Sequence, residues 1–138
     1  MKMHFSCLVV MLVLFLVSCS FSFTTAHYSD LQFAAEIDSS NRPVIRADHF
    51  TVDSPIVHLT GILNNAPDGT VMKAVWVYLE TEPPTEIDFY ELESVHVTAN
   101  FSFHVSRPDN GWPPGDYEVH LYIDDKLKET LTFQVVEN

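Results

Sequence analysis

The sequence is poor in glycine and in basic residues, and each shortage excludes a class of function. Only four of its 138 residues are glycines, so it has no P-loop, no dinucleotide-binding fingerprint and no G-x-S-x-G elbow. The zinc-protease motif H-E-x-x-H is also missing. With 19 acidic and seven basic residues, the formal charge is −12, which opposes binding to nucleic acid. We therefore expect neither an enzyme nor a nucleic-acid-binding protein.

Cysteine is scarce too, and both copies stand at the start of the chain. A basic residue, Lys2, precedes an unbroken apolar run from Leu8 to Val17. A run of this length behind a positive charge is typical of an export signal and is too short to span a bilayer. The second cysteine, Cys19, lies immediately beyond this run.

The stretch Leu16-Val17-Ser18-Cys19 resembles the lipobox of bacterial lipoproteins. That motif has a large aliphatic residue, a tolerant position, a small residue and a cysteine that carries lipid through a thioether. The resemblance implies that residues 1–18 are a signal peptide and that Cys19 is the lipid-bearing N-terminus. It also implies an exported protein at the cell membrane or outer membrane, with its domain in the periplasm or at the cell surface. The alternative is an ordinary signal cleaved after Ala26, which releases a soluble secreted protein.

Processing at Cys19 would leave 120 residues, a length that suits one domain with its own hydrophobic core. Cys7 would leave with the signal and Cys19 would be consumed by the lipid, so we expect no disulfide and no cysteine metal site. Lys2 is the only charged residue that is lost, and the mature charge becomes −13. Such a charge disfavours contact with an anionic membrane surface, so the lipid would be the sole membrane contact.

Residues 19–30 are rich in Ser and Thr and are predicted to be a tether, with the folded domain over 31–138. The domain shows no helical apolar stripe, whereas period-two apolar runs bounded by turn residues recur. The predicted strands are 31–37, 56–63, 71–80, 89–97, 100–105, 117–123 and a last strand with Leu131, Phe133 and Val135 inward. About seven short strands at this spacing predict an all-β fold, an antiparallel β-sandwich.

Two aromatic residues favour an immunoglobulin-like version of the sandwich. Tyr117 opens the penultimate strand, where immunoglobulin-like folds have a tyrosine that bonds back to the preceding loop. Trp76 lies in the middle of the third strand, where such folds bury a tryptophan. Immunoglobulins have a cysteine at the position of Val119, and we expect Val119 and Leu59 to fill the space of the missing disulfide.

Two longer segments, 65–76 and 110–127, resemble recurring segments of small bacterial lipoproteins. Those proteins carry an immunoglobulin-like domain of unassigned function directly behind the lipobox. The resemblance covers about residues 31–136 and implies the fold. Asp125 departs from the pattern, because glycine is usual at that place in the last turn.

Four histidines are candidates for metal chemistry. His58, His104 and His120 lie on predicted strands and His96 on a less certain one. Two or three of them on one sheet face could bind zinc or copper, which gives a periplasmic metal-binding protein as the alternative function. No pair has the spacing of a known ligand motif, so we expect solvent-facing histidines, with no metal and no cofactor.

An acidic segment from Glu80 to Glu93 contains six carboxylates. A calcium loop needs glycine for its turn, whereas this segment has two prolines and no glycine, so a charged face that protects a sheet edge is favoured. A small hydrolase that uses two of these carboxylates is a third hypothesis.

Two further residues have a structural and a functional interpretation. Trp112 either covers one end of the core or contacts a ligand from its loop. The first of these alternatives is favoured. Asn100 begins a glycosylation sequon by pattern, but Phe101 within it is expected to be buried. The chain as a whole is predicted to be a non-catalytic binding or structural module that contacts a protein or glycan through its loops or a sheet edge.

Overall fold

The computed structural model describes residues 25–95 and 97–138 and contains only β-structure in these ranges. The nine strands are β1 (His27–Ile37), β2 (Pro43–Arg46), β3 (His49–Thr51), β4 (Ile56–Asn64), β5 (Val71–Tyr78), β6 (Thr85–Glu93), β7 (Ala99–Ser106), β8 (Gly115–Ile123) and β9 (Lys126–Val136). They form two sheets, so the predicted all-β sandwich is confirmed.

The strand order is that of an immunoglobulin-like sandwich. The first sheet has the order β2-β1-β4-β7 and the second has the order β3-β9-β8-β5-β6. In immunoglobulin nomenclature, β1, β4 and β7 correspond to strands A, B and E, and β5, β6, β8 and β9 correspond to C, C′, F and G. All pairs are antiparallel except β3 with β9.

The core lies between the sheets and is built from the alternating residues that the sequence pattern identified. Trp76 is fully buried, as expected for the tryptophan of such folds, and so are Val119 and Leu59, which were expected to fill the space of the missing disulfide. The Tyr117 hydroxyl donates a 2.6 Å hydrogen bond to the Pro113 carbonyl, which confirms the predicted tie to the preceding loop. Trp112 is 2% exposed and its indole N–H donates to the Ser54 carbonyl at 2.8 Å, so it covers the core.

The last hairpin accommodates aspartate where glycine is usual. Asp124 and Asp125 both have positive φ, 46° and 65°, as a type I′ turn requires. Aspartate tolerates this left-handed region better than most residues. Asp124 also exchanges hydrogen bonds with Val71 of β5, since each backbone N–H is donated across to the other residue. The hairpin tip is thereby fixed to the neighbouring strand.

Several strand boundaries differ from the prediction. Strand β1 begins at His27 rather than at residue 31, so the last residues of the predicted tether belong to the sandwich. Tyr28 is buried and its hydroxyl donates to the Tyr122 carbonyl at 2.7 Å. This contact between the sheets holds the segment in the sandwich, although Ser and Thr residues around it favoured a tether. The strand predicted over 89–97 lies at Thr85–Glu93, directly after Pro84. Strands β2 and β3 have only four and three residues, too few to show a period.

Candidate functional site

The proposed lipidation site, Cys19, lies outside the described residues, together with the predicted signal peptide and most of the tether. His96 also falls outside them. Within the described ranges, no helix is long and apolar enough to cross a membrane.

Two of the strand histidines come together and the third does not. His58 of β4 and His104 of β7 are cross-strand partners, with their ring centroids 5.7 Å apart. His120 lies on β8 in the other sheet, where its Nε2 is 3.6 Å from a Glu118 carboxylate oxygen. Strand parity indicated that His104 and His120 both point outward, but the two sheets have opposite outer faces. Of the two or three histidines expected to meet on one sheet face, His58 and His104 therefore do so and His120 does not.

The His58 imidazole has an unusual environment for a residue on an outer sheet face. Its Nδ1 is buried and has no hydrogen-bond partner among the described residues. Burial lowers the pKa of His58, and the neighbouring charge of His104 lowers it further. In the described part of the chain, no three His, Cys, Asp or Glu residues are grouped to hold a metal ion. His58 and His104 therefore form a pair of neighbouring imidazoles with no third metal-ligating residue grouped beside them in the described ranges.

The acidic segment divides into a structural residue and an exposed strand. The Glu80 carboxylate accepts the Asp116 backbone N–H at 3.0 Å, so it fixes the start of β8. Glu82 is exposed in the loop before β6, and the other four carboxylates, Glu86, Asp88, Glu91 and Glu93, lie on β6. Asp88 is opposite the buried Trp76, whereas Glu91 is opposite Lys73 on the outer face. The four carboxylates are thus divided between the two faces of the strand, with Glu91 and Glu93 on the outer one.

Among the described strands, β6 has the most exposed large apolar side chains. It is the edge strand of the five-stranded sheet and pairs only with β5 among the described strands. Its large exposed apolar side chains are Ile87, Phe89, Tyr90 and Leu92, and Phe89 is 55% exposed. Edge strands usually avoid such residues because an unpaired edge invites pairing with another chain. We call this strand, with its four acidic and four apolar side chains, the β6 edge.

The two faces of the β6 edge have different surroundings. On the outer face, Phe89 is next to Val75, which is in turn next to His120 of β8. On the inner face, β6 meets the edge of the opposite sheet, and the Tyr90 ring stacks on His104 with centroids 6.2 Å apart. A hydrogen bond to the Asp88 side chain raises the pKa of Tyr90. The edge therefore offers apolar and acidic groups on both sides.

Two features partly protect this edge. A register shift lies between Trp76 and Val77 in the β5–β6 pairing, and such bulges twist an edge away from regular pairing. The Asp88 carboxylate also accepts the backbone N–H of Phe89 at 2.8 Å. A partner that pairs with this part of the strand must displace the aspartate.

Sequence reasoning placed the acidic residues on a strand that protects an edge, but it missed the apolar residues between them. The signal was present, because Ile87, Phe89 and Leu92 alternate with carboxylates in one short segment. Alternation alone does not distinguish a half-buried strand from one that is exposed on both faces.

Comparison with known proteins gives structural similarity only. No model of a known protein family matches this sequence, and no curated protein is similar to it. A similar structure is the Pseudomonas fluorescens alkylpurine DNA glycosylase AlkC bound to DNA containing an abasic site analogue, with 11% identity over 81% of this chain and a TM-score of 0.48. This chain spans only 30% of the length of that one. An immunoglobulin-like protein from Pseudomonas aeruginosa has 12% identity, 80% and 91% coverage of the two chains, and a TM-score of 0.46.

Proposed function

We propose that this protein is a lipid-anchored, non-catalytic binding module of the cell envelope that recognises an extended segment of a partner protein. The β6 edge is the recognition surface and Cys19 is the anchor. The observation that carries the proposal is the run of four exposed apolar side chains on one unpaired edge strand. Strand addition to such an edge combines main-chain hydrogen bonds with pockets for alternate side chains.

Charge determines what kind of segment fits. The β6 strand has four acidic residues and no basic one, so a second copy of the same strand would place like charges opposite each other. Like charges directly opposite are unfavourable across a β-pair, and opposite charges are favourable. The expected partner therefore presents an extended segment in which basic and apolar residues alternate.

A lipid at Cys19 would hold the domain with the β6 edge upright. Ala26 is buried in the core, so six residues, 20–25, separate it in sequence from Cys19. A flexible linker of this length has an end-to-end distance of about 13 Å. His27 lies at the end of the sandwich that also holds Val71 and Glu93, because His27 pairs with Asn64 at that end. The β6 edge would run outward from the membrane.

The burial of Ala26 also favours cleavage at Cys19 over cleavage after Ala26. Its side chain is 4% exposed and is part of the core cluster. A cut after Ala26 would remove this residue from the folded domain and would start the mature protein at the first residue of β1.

Amide hydrogen exchange tests the recognition surface. The mature chain with Cys19→Ser is mixed with a nine-residue peptide that alternates lysine and valine. Controls are a peptide with the same residues in two blocks and one that alternates glutamate and valine. We expect slower exchange at β6 amides with the alternating basic peptide alone. Phe89→Ser should abolish the effect, whereas Val44→Ser, at a residue with a matched 57% exposure in the other sheet, should preserve it.

Protection that is absent, that is spread over both sheets, or that survives Phe89→Ser would refute the β6 edge as the recognition surface. The anchor has a separate test, in which cells receive an alkyne-tagged palmitate. We expect label on the wild-type protein and none on Cys19→Ser, which should leave the membrane fraction. An unlipidated mature protein that begins at His27 would overturn the anchor.

A further inference from the structure

A groove on the outer face of the first sheet concentrates positive charge in an otherwise acidic protein. It has a volume of about 520 Å³ and is lined by residues of the β1–β2 hairpin, β4 and β7. The tip of the hairpin reaches across the sheet, because the Asn41 side-chain oxygen accepts a hydrogen bond from Ser102 of β7 at 3.2 Å. The hairpin therefore forms one wall and the sheet forms the floor. This volume is within the range usual for sites that bind small molecules.

Arg42 and Arg46 both line this groove. They are two of only six Lys and Arg residues in the described part of the chain, whereas the sequence has 19 acidic residues. Neither guanidinium has a carboxylate within 4 Å in the described ranges, whereas Arg107 lies 3.7 Å from Asp53. Two arginines without ion pairs in one concavity are a suitable site for an oxyanion.

Asp38, in the turn of the hairpin, is held by backbone hydrogen bonds and forms no ion pair within 4 Å with either arginine. Asp38 accepts the backbone N–H groups of Ser40 and Arg42 at 2.8 and 2.9 Å. These hydrogen bonds, the Arg42 one foremost, lower the pKa of Asp38, and the Arg42 charge adds to the effect. The carboxylate is therefore committed to the turn, and the Arg42 side chain is left to the groove.

The rest of the lining combines polar residues with the apolar Pro43, Ile62 and Ala99, and Asp30 is its only acidic residue. Gln32, Asn41 and Asn100 contribute amides, which both donate and accept hydrogen bonds. Asp30 contributes acceptor oxygens at the same groove. Amides and a carboxylate can form hydrogen bonds with hydroxyl groups, and the arginines can pair with an anionic group. We propose that this groove binds an acidic saccharide, with its carboxylate or phosphate at Arg42 and Arg46 and its hydroxyls at the amides and Asp30.

This inference is independent of the β6 edge, which lies on the other sheet. The test is a titration of the Cys19→Ser chain, followed by backbone NMR shifts, with three probes: digalacturonate, glucose 6-phosphate and neutral cellobiose. We expect saturable shifts at groove residues with at least one acidic probe and none with cellobiose. The first two probes distinguish a carboxylate from a phosphate as the anionic group.

Three variants identify the groups responsible. Arg42→Gln and Arg46→Gln should each weaken binding about tenfold or more, as expected for the loss of a charge-assisted contact. Lys128→Gln removes the same charge from β9, outside the groove, and should leave the affinity unchanged. The proposal is overturned if no acidic probe saturates, if cellobiose binds equally well, or if Lys128→Gln weakens binding as much as the arginine variants. Unchanged melting temperatures would exclude unfolding as the cause.

Discussion

Gly115 and Glu80 are packed so closely that position 115 leaves no room for a side chain. The Glu80 carboxylate accepts the N–H of Asp116 at 3.0 Å, and its Cγ occupies the space into which a Cβ on Gly115 would project. Gly115 also has a φ of 136°, which L residues rarely adopt. The entry to β8, and with it the position of Tyr117, depends on this contact.

We expect Gly115→Ala to lower the free energy of unfolding by about 3 kcal/mol, because backbone strain and a steric clash add. Gly69→Ala is the matched control. Gly69 also has a positive φ, 83°, but the nearest atom to its added Cβ is 3.5 Å away, so we expect about 1 kcal/mol. Urea denaturation measures both. The double variant with Glu80→Ala should recover part of the loss, and equal losses for the two single variants would contradict the clash.

The loop before β8 is held by two tyrosines that differ in burial. The Tyr117 hydroxyl donates to the Pro113 carbonyl at 2.6 Å from within the core. The Tyr78 hydroxyl donates to the next carbonyl, Pro114, at 2.8 Å from a half-buried side chain, and this hydrogen bond is exposed. We expect Tyr117→Phe to cost about 1 kcal/mol of unfolding free energy and Tyr78→Phe clearly less. If the order were reversed in denaturation experiments, the Tyr117 hydrogen bond would not be the main tie.

Features that depend on neighbouring residues could be predicted from the sequence, whereas features that depend on the pairing of distant strands could not. Alternation between neighbouring residues correctly predicted β4, β5, β7 and β8 and the inward face of Trp76. Parity showed that His104 points outward, but it could not show that His58 is its partner, because that depends on the register between two strands. Whether a strand lies at an edge depends on the order of strands in the sheet, which no local pattern contains.

The groove was beyond prediction for the same reason. Arg42 and Arg46 are four residues apart, which is unremarkable in a sequence. They form a site only because the β1–β2 hairpin crosses the sheet and Asn41 reaches Ser102, 61 residues away in the chain. Contacts of this kind arise from tertiary packing and do not produce a periodic pattern in the sequence.

The stability of the domain should depend on the His58 protonation state. Its pKa is lowered in the folded protein, so the folded state binds this proton less readily than the unfolded chain does. The contribution of His58 is therefore complete above the ordinary pKa of histidine, about 6.5, and is lost as the pH falls toward the lowered value. We expect the unfolding free energy to fall between pH 7.5 and 5.5 by more in the wild type than in His58→Gln.

The titration of the His58 imidazole by NMR gives an independent check. Its midpoint should lie below the ordinary pKa of histidine, about 6.5. His104→Gln should raise the midpoint only in part, because burial is the larger cause of the shift and the His104 charge the smaller one. A midpoint at or above that ordinary value would contradict the environment described for Nδ1.

The acidic residues of the β6 edge should keep the protein from pairing with itself. The strand exposes Phe89 and three other large apolar side chains on an unpaired edge, and charge is a common protection of such edges. We expect the triple variant Glu86→Gln, Glu91→Gln and Glu93→Gln to form dimers in analytical ultracentrifugation at concentrations where the wild type is monomeric. The matched control makes the same change at three acidic residues off this strand: Glu36, Glu129 and Glu137. Adding Phe89→Ser to the β6 variant should restore the monomer, because it removes the most exposed apolar group of the strand.

Dimers in the control variant, or dimers that persist after Phe89→Ser, would mean that general loss of charge rather than the β6 edge drives association.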